Sequence, residues 1–222
     1  MLFGNKMLVD MSGKNVNGNR CLENSEKATV ECVEQNDSLF CSAVHVVLQF
    51  EGGFVDDPCD RGGKTNMGIT QKFLDRYRQR AGVKARDVAE LTPREAVKLY
   101  KTEWDTYGFA LLDNADVVIL VYDFAVHSGA KLAIAAMQTI LNTKGCGLAV
   151  DGYIGVLTNR AVNSVDSGWL KTELQRTRAL HCDGIVDKDP KQKRFIKGWF
   201  NRINTIGKKC GCNTVFKSRH VG

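Results

Sequence analysis

An apolar segment of helical period runs straight into a stretch that cannot continue it. Leu39, Phe40, Ala43, Val44, Val46, Val47, Leu48 and Phe50 recur mainly at helical spacing, with Ser38 as a candidate N-cap. Glu51-Gly52-Gly53 then stops the helix. From Phe54 to Ile69, Asp57-Pro58, Gly62-Gly63 and Gly68 impose turns, most simply a short irregular β-hairpin. The pattern therefore puts a carboxylate at a helix C-terminus, facing a turn-rich excursion.

That placement has chemical consequences. Flanked by Phe50 and Phe54, the Glu51 carboxyl feels desolvation and the negative end of the helix dipole, and both favour its protonated form. A carboxyl that stays protonated near neutral pH can donate to a leaving oxygen, as glycoside cleavage requires. Glu51 is the candidate general acid. Asp60, in a wetter turn, can orient or activate water and stabilise charge at a sugar carbon, and Thr65 can position the same water. Asp56 and Asp57 read as turn residues whose carboxylates satisfy backbone amides.

The rest of the chain is patterned for helices. Thr70 opens one that ends near Gly82. Thr92-Pro93-Arg94-Glu95 combines a cap, a proline suited to the first helical position and a glutamate that completes a capping box. Val117 to Val126 is apolar nearly all round, which indicates a helix at the centre of the core, and Ser128-Gly129 separates it from a helix over Lys131 to Leu141. Asp151, Gly152 and Gly155 read as a turn, with Thr158 capping the helix after it. Two helices close the chain, over Trp169 to His181 and, capped by Asp189, from Pro190 to Ile206. In the last, Phe195, Ile196, Trp199, Phe200, Ile203 and Ile206 form the buried stripe, and Lys191, Lys193, Arg194, Lys197 and Arg202 fill much of the remaining face. The expected fold is mainly α, with about seven to eight helices and one small irregular β-hairpin.

Charge divides the chain unevenly. Residues 1–38 carry 4 basic and 6 acidic side chains, residues 39–170 carry 14 and 15, and residues 171–222 carry 13 and 4. The basic end favours a polyanionic partner such as an anionic cell envelope, or is simply a solvated face; nucleic-acid binding would rest on this charge alone. Residues 1–38 lack periodicity and read as a loosely packed extension. Met1 to Val9 is broken by Gly4, Asn5 and Lys6, so no signal peptide is expected, and no later run is long and apolar enough to span a membrane. The 8 cysteines are expected to be mostly free thiols in a chain made in the cytoplasm, and their spacing supplies no zinc pattern. Neither metal nor cofactor is expected.

The spacing of Glu51, Asp60 and Thr65 resembles the Glu, Asp, Thr triad of phage-type lysozymes, with one residue fewer before the threonine, so Asn66 is the alternative occupant of that role. The fuller string from Glu51 to Thr70 is similar to glycoside hydrolase family 108, the bacterial and phage N-acetylmuramidases. Tyr100-Lys-Thr-Glu-Trp104, Tyr122-Asp-Phe-Ala-Val-His-Ser-Gly129, Ala136-Met-Gln138 and Asp151-Gly-Tyr-Ile-Gly155-Val-Leu-Thr158 extend the resemblance, and Arg178 and Gly198-Trp-Phe-Asn-Arg202 fit its closing helices. It covers roughly residues 39–207.

The resemblance implies a lysozyme-like muramidase domain over 39–207, divided into a catalytic lobe (39–110) and a helical peptidoglycan-binding lobe (111–207), between the 1–38 extension and a basic 208–222 tail. It implies cleavage of the β-1,4 bond between N-acetylmuramic acid and N-acetylglucosamine, with peptidoglycan as partner and a monomeric enzyme. Since no signal peptide is expected, such an enzyme is expected to reach the wall as a phage-type endolysin released through holin lesions, with a bacterial exported muramidase as the alternative. Tyr122, Asp123, His127, Gln138 and Asp151 are the candidate substrate contacts. His127 stands where the family has Asn. Asp123 and His127, four residues apart, can also meet each other as an internal polar contact. A non-catalytic wall-binding protein on the same fold is the alternative, against which the complete trio of Glu51, Asp60 and Thr65 argues.

Overall fold

A computed structural model describes residues 37–56 and 63–221. The 1–38 extension, apart from Asp37 and Ser38, and residues 57–62, with Cys59 and Asp60, lie outside the described residues.

Helix α1 (Ser38–Leu48) is capped by Asp37, whose Oδ1 accepts from the Phe40 amide at 3.0 Å. Ser38, the expected cap, is the first helical residue instead. A short antiparallel pair comes next, β1 (Thr65–Asn66) and β2 (Ile69–Thr70), with Thr65 opposite Thr70. Its two-residue turn has Met67 at φ 47° and Gly68 at φ 77°, the doubly left-handed combination that suits the twist of a tight hairpin. Val55 pairs with Thr65 through two backbone hydrogen bonds of 2.8 and 2.9 Å, so the excursion after Glu51 closes back onto β1. The hairpin is thus tighter and later than the glycine pattern implies.

Helices α2 (Gln71–Arg80) and α3 (Pro93–Tyr107) are joined through a 3-10 turn at Val88–Glu90. The capping box of α3 forms as expected from Thr92 and Glu95. Helix α4 (Ala115–Ser128) runs through the middle of the molecule and packs against α1, α5 (Ala130–Asn142) and α7 (Ser167–Lys188). A short α6 (Val156–Ser164) lies between α5 and α7. A 3-10 segment, Pro190–Phe195, leads into α8 (Ile196–Lys209), which packs on α7. Eight α-helices and one two-stranded sheet among the described residues give the mainly helical fold that the pattern predicts, consistent with the lysozyme-like architecture that the resemblance implies.

Three local expectations are corrected. Thr158 sits inside α6 and is buried, while the cap position is Gly155, which contributes no side chain. Helix α7 continues past His181 to Lys188 because Cys182 and Val186 are buried in a second apolar cluster with Trp199 and Ile203 of α8. The face of α8 given to solvent in the periodic reading is incomplete, because Arg202 is only 4 % exposed. No described helix is long and apolar enough to cross a membrane.

The main core centres on an aromatic group. Trp104 contacts Phe40, Phe109 and Tyr122 with ring centroids 5.4, 5.5 and 5.1 Å apart. This cluster fastens α1, α3 and α4 together and fixes where α1 ends, which in turn fixes Glu51. The basic end is also tied down. Asn204 exchanges hydrogen bonds with the backbone of Phe216, the Ser218 hydroxyl donates to Asp183, and Arg219 and His220 pair with Asp187.

Candidate active site

Glu51 lies just beyond the α1 C-terminus, after a turn in which the Phe50 amide donates to the Val47 carbonyl at 2.9 Å. Although it succeeds a surface turn, it is 3 % exposed. The β1–β2 turn lies directly over it: a Cβ built on Gly68 would stand 3.0 Å from the Glu51 Cδ and closer still to the Tyr100 hydroxyl. Tyr100 in turn donates to the Met67 carbonyl at 2.9 Å and so holds the turn down. Gly68 is required twice over, by its left-handed φ and by this approach. Gly68→Ala is expected to lower the melting temperature by several degrees, since misplaced backbone conformations of this kind cost about 1–3 kcal/mol. It should also lower wall-cleaving activity by more than the lost folded fraction accounts for, as measured by thermal melts beside turbidity assays. An unchanged enzyme would show that the turn does not bear on Glu51.

Behind Glu51 is a buried cluster of charge. Arg202 of α8 donates from Nη1 to Glu51 Oε1 at 2.7 Å, and from Nε to Asp123 Oδ1 at 2.9 Å. Arg178 of α7 donates to the other oxygen of Asp123. Asp123 is 0 % exposed, Arg178 1 % and Arg202 4 %. Burial works against the Asp123 carboxylate, but the two guanidiniums outweigh it and hold this acid below the usual range. Glu51 shares one guanidinium and comes out the other way. Burial pushes its carboxyl up, and the charge and hydrogen bond of Arg202 hold back only part of the rise. The two acids are therefore driven apart, Asp123 below and Glu51 above the usual carboxylate range, the kind of separation that acid–base sites use.

Thr65, in β1 and 5 % exposed, donates from its hydroxyl to the Gly63 carbonyl at 3.0 Å. Asn66, the alternative for its role, donates its side-chain amide to the Val88 and Ala89 carbonyls and so ties β1 to the 3-10 turn. Those amide protons are committed to backbone. Asp60 lies outside the described residues.

The other candidate contacts divide between core and scaffold. Tyr122 is 1 % exposed, with its hydroxyl donating to the Tyr100 carbonyl at 3.0 Å, so the structure places it in the aromatic core. Asp123 does not meet His127 across its helix; the two arginines take its carboxylate. His127 instead bonds the Ser128 hydroxyl at 3.1 Å and stands edge-on to Trp199, and burial together with the nearby Arg178 and Arg202 keeps it neutral. Gln138 is 1 % exposed and spans the loop before α6: its amide nitrogen donates to Asp151 Oδ1 at 2.8 Å and to the Tyr153 carbonyl, and its oxygen accepts from the Gly152 amide. Asp151 is at the surface, holding that turn.

Arg202 and Arg178 are the residues that sequence reasoning missed. Arg178 was visible only as a residue of the resemblance, and Arg202 also as a member of a basic helix face. An arginine amid the stripe residues Trp199, Ile203 and Ile206 was the available signal. Among the described residues, no group of three or more His, Cys, Asp or Glu side chains is arranged to hold a metal. Cys146, Cys182, Cys210 and Cys212 are free thiols, and burial pushes Cys182 and Cys210 up to about 12, which suppresses thiolate chemistry.

The Glycosyl hydrolase 108 family matches residues 44–129, and the family described as Predicted Peptidoglycan domain matches residues 132–204. The solved structure of SagA from Brucella abortus superposes with a TM-score of 0.63 at 31 % sequence identity, over 77 % of this chain and 92 % of that one. No curated protein matches the chain. Glu51 and Asp123 fall in the first matched region, and Arg178 and Arg202 in the second, so the buried charge cluster joins the two. The chain belongs to glycosyl hydrolase family 108 and is a glycoside hydrolase that acts on peptidoglycan.

Proposed function

We propose that the enzyme is an N-acetylmuramidase, cleaving the β-1,4 bond between N-acetylmuramic acid and N-acetylglucosamine. The observation that carries this reading is the Glu51 carboxyl, buried over the end of α1, raised by burial and anchored through one oxygen by Arg202. Glu51 donates its proton to the departing glycosidic oxygen. Arg202 then stabilises the carboxylate that is left. Asp60 and Thr65 place the water that attacks the opposite face of the sugar, which gives inversion.

Product chemistry tests the bond. Purified sacculi digested by the enzyme and reduced with borohydride should yield reduced muramic acid. Reduced glucosamine would assign the opposite linkage and overturn the reading. Proton NMR of the first anomer released tests inversion separately.

The basic character of residues 171–222 supports attraction to the phosphates and carboxylates of an envelope. We place the enzyme among phage-type endolysins that reach the wall through holin lesions and act as monomers. Host-cell fractionation during lysis checks this: protein that stays in the cytoplasm while the wall is degraded would contradict it.

A further inference from the structure

A cavity of about 580 Å³ opens between α2, α3 and the junction of α4 with α5. Arg76, Tyr77 and Arg80 form one wall, Glu103 and Tyr107 a second, and Lys131 the lip. Neither Glu51 nor Arg202 lines it. The two sites are nevertheless neighbours along one helix. Glu103 is three residues and Tyr107 seven residues from Tyr100, whose hydroxyl lies beside Glu51, so the cavity begins about 4.5 Å along the helix axis and continues to roughly 10 Å.

Its construction is specific. Glu103 Oε2 is hidden from solvent and meets no hydrogen-bond donor among the described residues, a costly state for a carboxyl oxygen unless a ligand supplies one. Tyr107 stacks on Tyr153 at 5.3 Å, and the Lys131 ammonium lies 5.0 Å over the Tyr153 ring, which gives the cavity an aromatic rim backed by positive charge. The lining holds three cations, Arg76, Arg80 and Lys131, against one carboxyl. Such a lining selects a ligand that combines carboxylates with amide N–H groups. In peptidoglycan the glycan is the cleaved part, and the acidic peptide stem borne by muramic acid has that chemistry.

We propose that this cavity binds the acidic peptide stem of the strand being cleaved: Arg76 and Arg80 take its carboxylates, Glu103 Oε2 meets a stem amide, and Tyr77 and Tyr107 pack on its backbone. The proposal rests on the glycan-cleaving reading and makes the enzyme selective for peptide-bearing glycan. Burial pushes Glu103 up to about 7, with Arg76 and Arg80 opposing. The charged and titratable groups around it are Arg76, Tyr77 and Arg80 from α2, Tyr107 from its own helix and Lys131 from α5. Of these, Glu103 is the group that changes charge near neutrality. Below about pH 7 its negative charge is lost, so a carboxylate ligand should bind more tightly there.

The test uses the full chain carrying Glu51→Gln and two soluble probes, the disaccharide tetrapeptide released from peptidoglycan and the same disaccharide without peptide. Calorimetry should show the peptide-bearing probe binding more tightly. Arg76→Gln with Arg80→Gln should weaken that probe by roughly tenfold or more, the value of one charge-assisted hydrogen bond, while binding of the bare disaccharide stays unchanged. Both arginines lie on an exposed helix face, and a thermal melt verifies that the double variant folds. Glu103→Gln should remove the strengthening below pH 7. With Glu51 intact, the double arginine variant should slow digestion of whole walls but not of glycan stripped of peptide by an amidase. Equal loss on both substrates, or equal affinity for both probes, overturns the proposal. Failure of the muramidase reading would show instead in the product analysis, because the binding comparison does not depend on which bond is cut.

Discussion

Glu51→Gln should abolish wall cleavage while leaving the protein folded and at least as stable as the parent. Losing a general acid typically costs a factor of roughly 10²–10⁴. Here the amide keeps the shape and can still accept from Arg202 through its oxygen, so the loss isolates the proton. The stability side rests on the direction of the shift. A carboxyl whose folded-state pKa is raised above the unfolded 4.5 costs stability as pH climbs from 4.5 through the folded value, because the unfolded chain ionises more easily. Glutamine removes that cost. The variant should therefore gain in melting temperature at neutral pH, and the gain should shrink below pH 4.5, where both states of the parent hold the proton. In the parent, activity should fall as pH rises through the Glu51 pKa, since only the protonated form donates. Dye release from labelled sacculi, alongside melts at about pH 4 and about pH 7.5, reads all of these. Retained lysis by a folded variant would remove Glu51 from the chemistry.

Arg202→Met should be the most destabilising single change in the site. Arg202 bonds both Glu51 and Asp123, and its removal leaves Asp123 with Arg178 alone and Glu51 without the guanidinium at its Oε1. Breaking a buried pair from one side costs about 3–5 kcal/mol, which for a domain of this size is on the order of 10 °C in melting temperature. Arg202 also lowers the Glu51 pKa, so its loss should move the alkaline limb of the activity profile upward in whatever fraction stays folded. Introducing Glu51→Gln into the Arg202→Met protein should recover part of the lost stability, because the Glu51 carboxyl no longer has to be buried without that guanidinium. A drop of less than about 2 °C with an unmoved alkaline limb would show that water reaches the cluster and screens it.

Much of the fold was legible because it rests on local rules. The capping box at Thr92 and Glu95, the break at Ser128-Gly129, and the all-round apolarity of α4 each express backbone geometry or periodicity that neighbouring residues decide among themselves. The place of Glu51 just past a helix end was legible in the same way, since the helix period and the glycines after it are local, but its burial was not: Phe54, expected to shield it, is exposed, and the β1–β2 turn covers it instead. Boundaries failed where distant packing overrode propensity, as in α7, which runs on because α8 buries Cys182 and Val186.

The charge balance of the site was beyond local rules. Arg202 stands 151 positions from Glu51, and Arg178 55 from Asp123. On a helical wheel Arg202 sits at the edge of the apolar stripe of α8, and nothing in the wheel names the carboxylates that it meets there. Tyr122, Gln138 and Asp123 likewise have types that suit a glycan cleft, yet side-chain type cannot say whether a polar group faces ligand or a partner inside the fold. Residue order alone was enough to place an acid at the end of the first helix of a helical domain. What raises that acid's pKa and what holds the rise back were left to tertiary packing, because its burial and the opposing Arg202 charge arise only when the two matched regions close on one another.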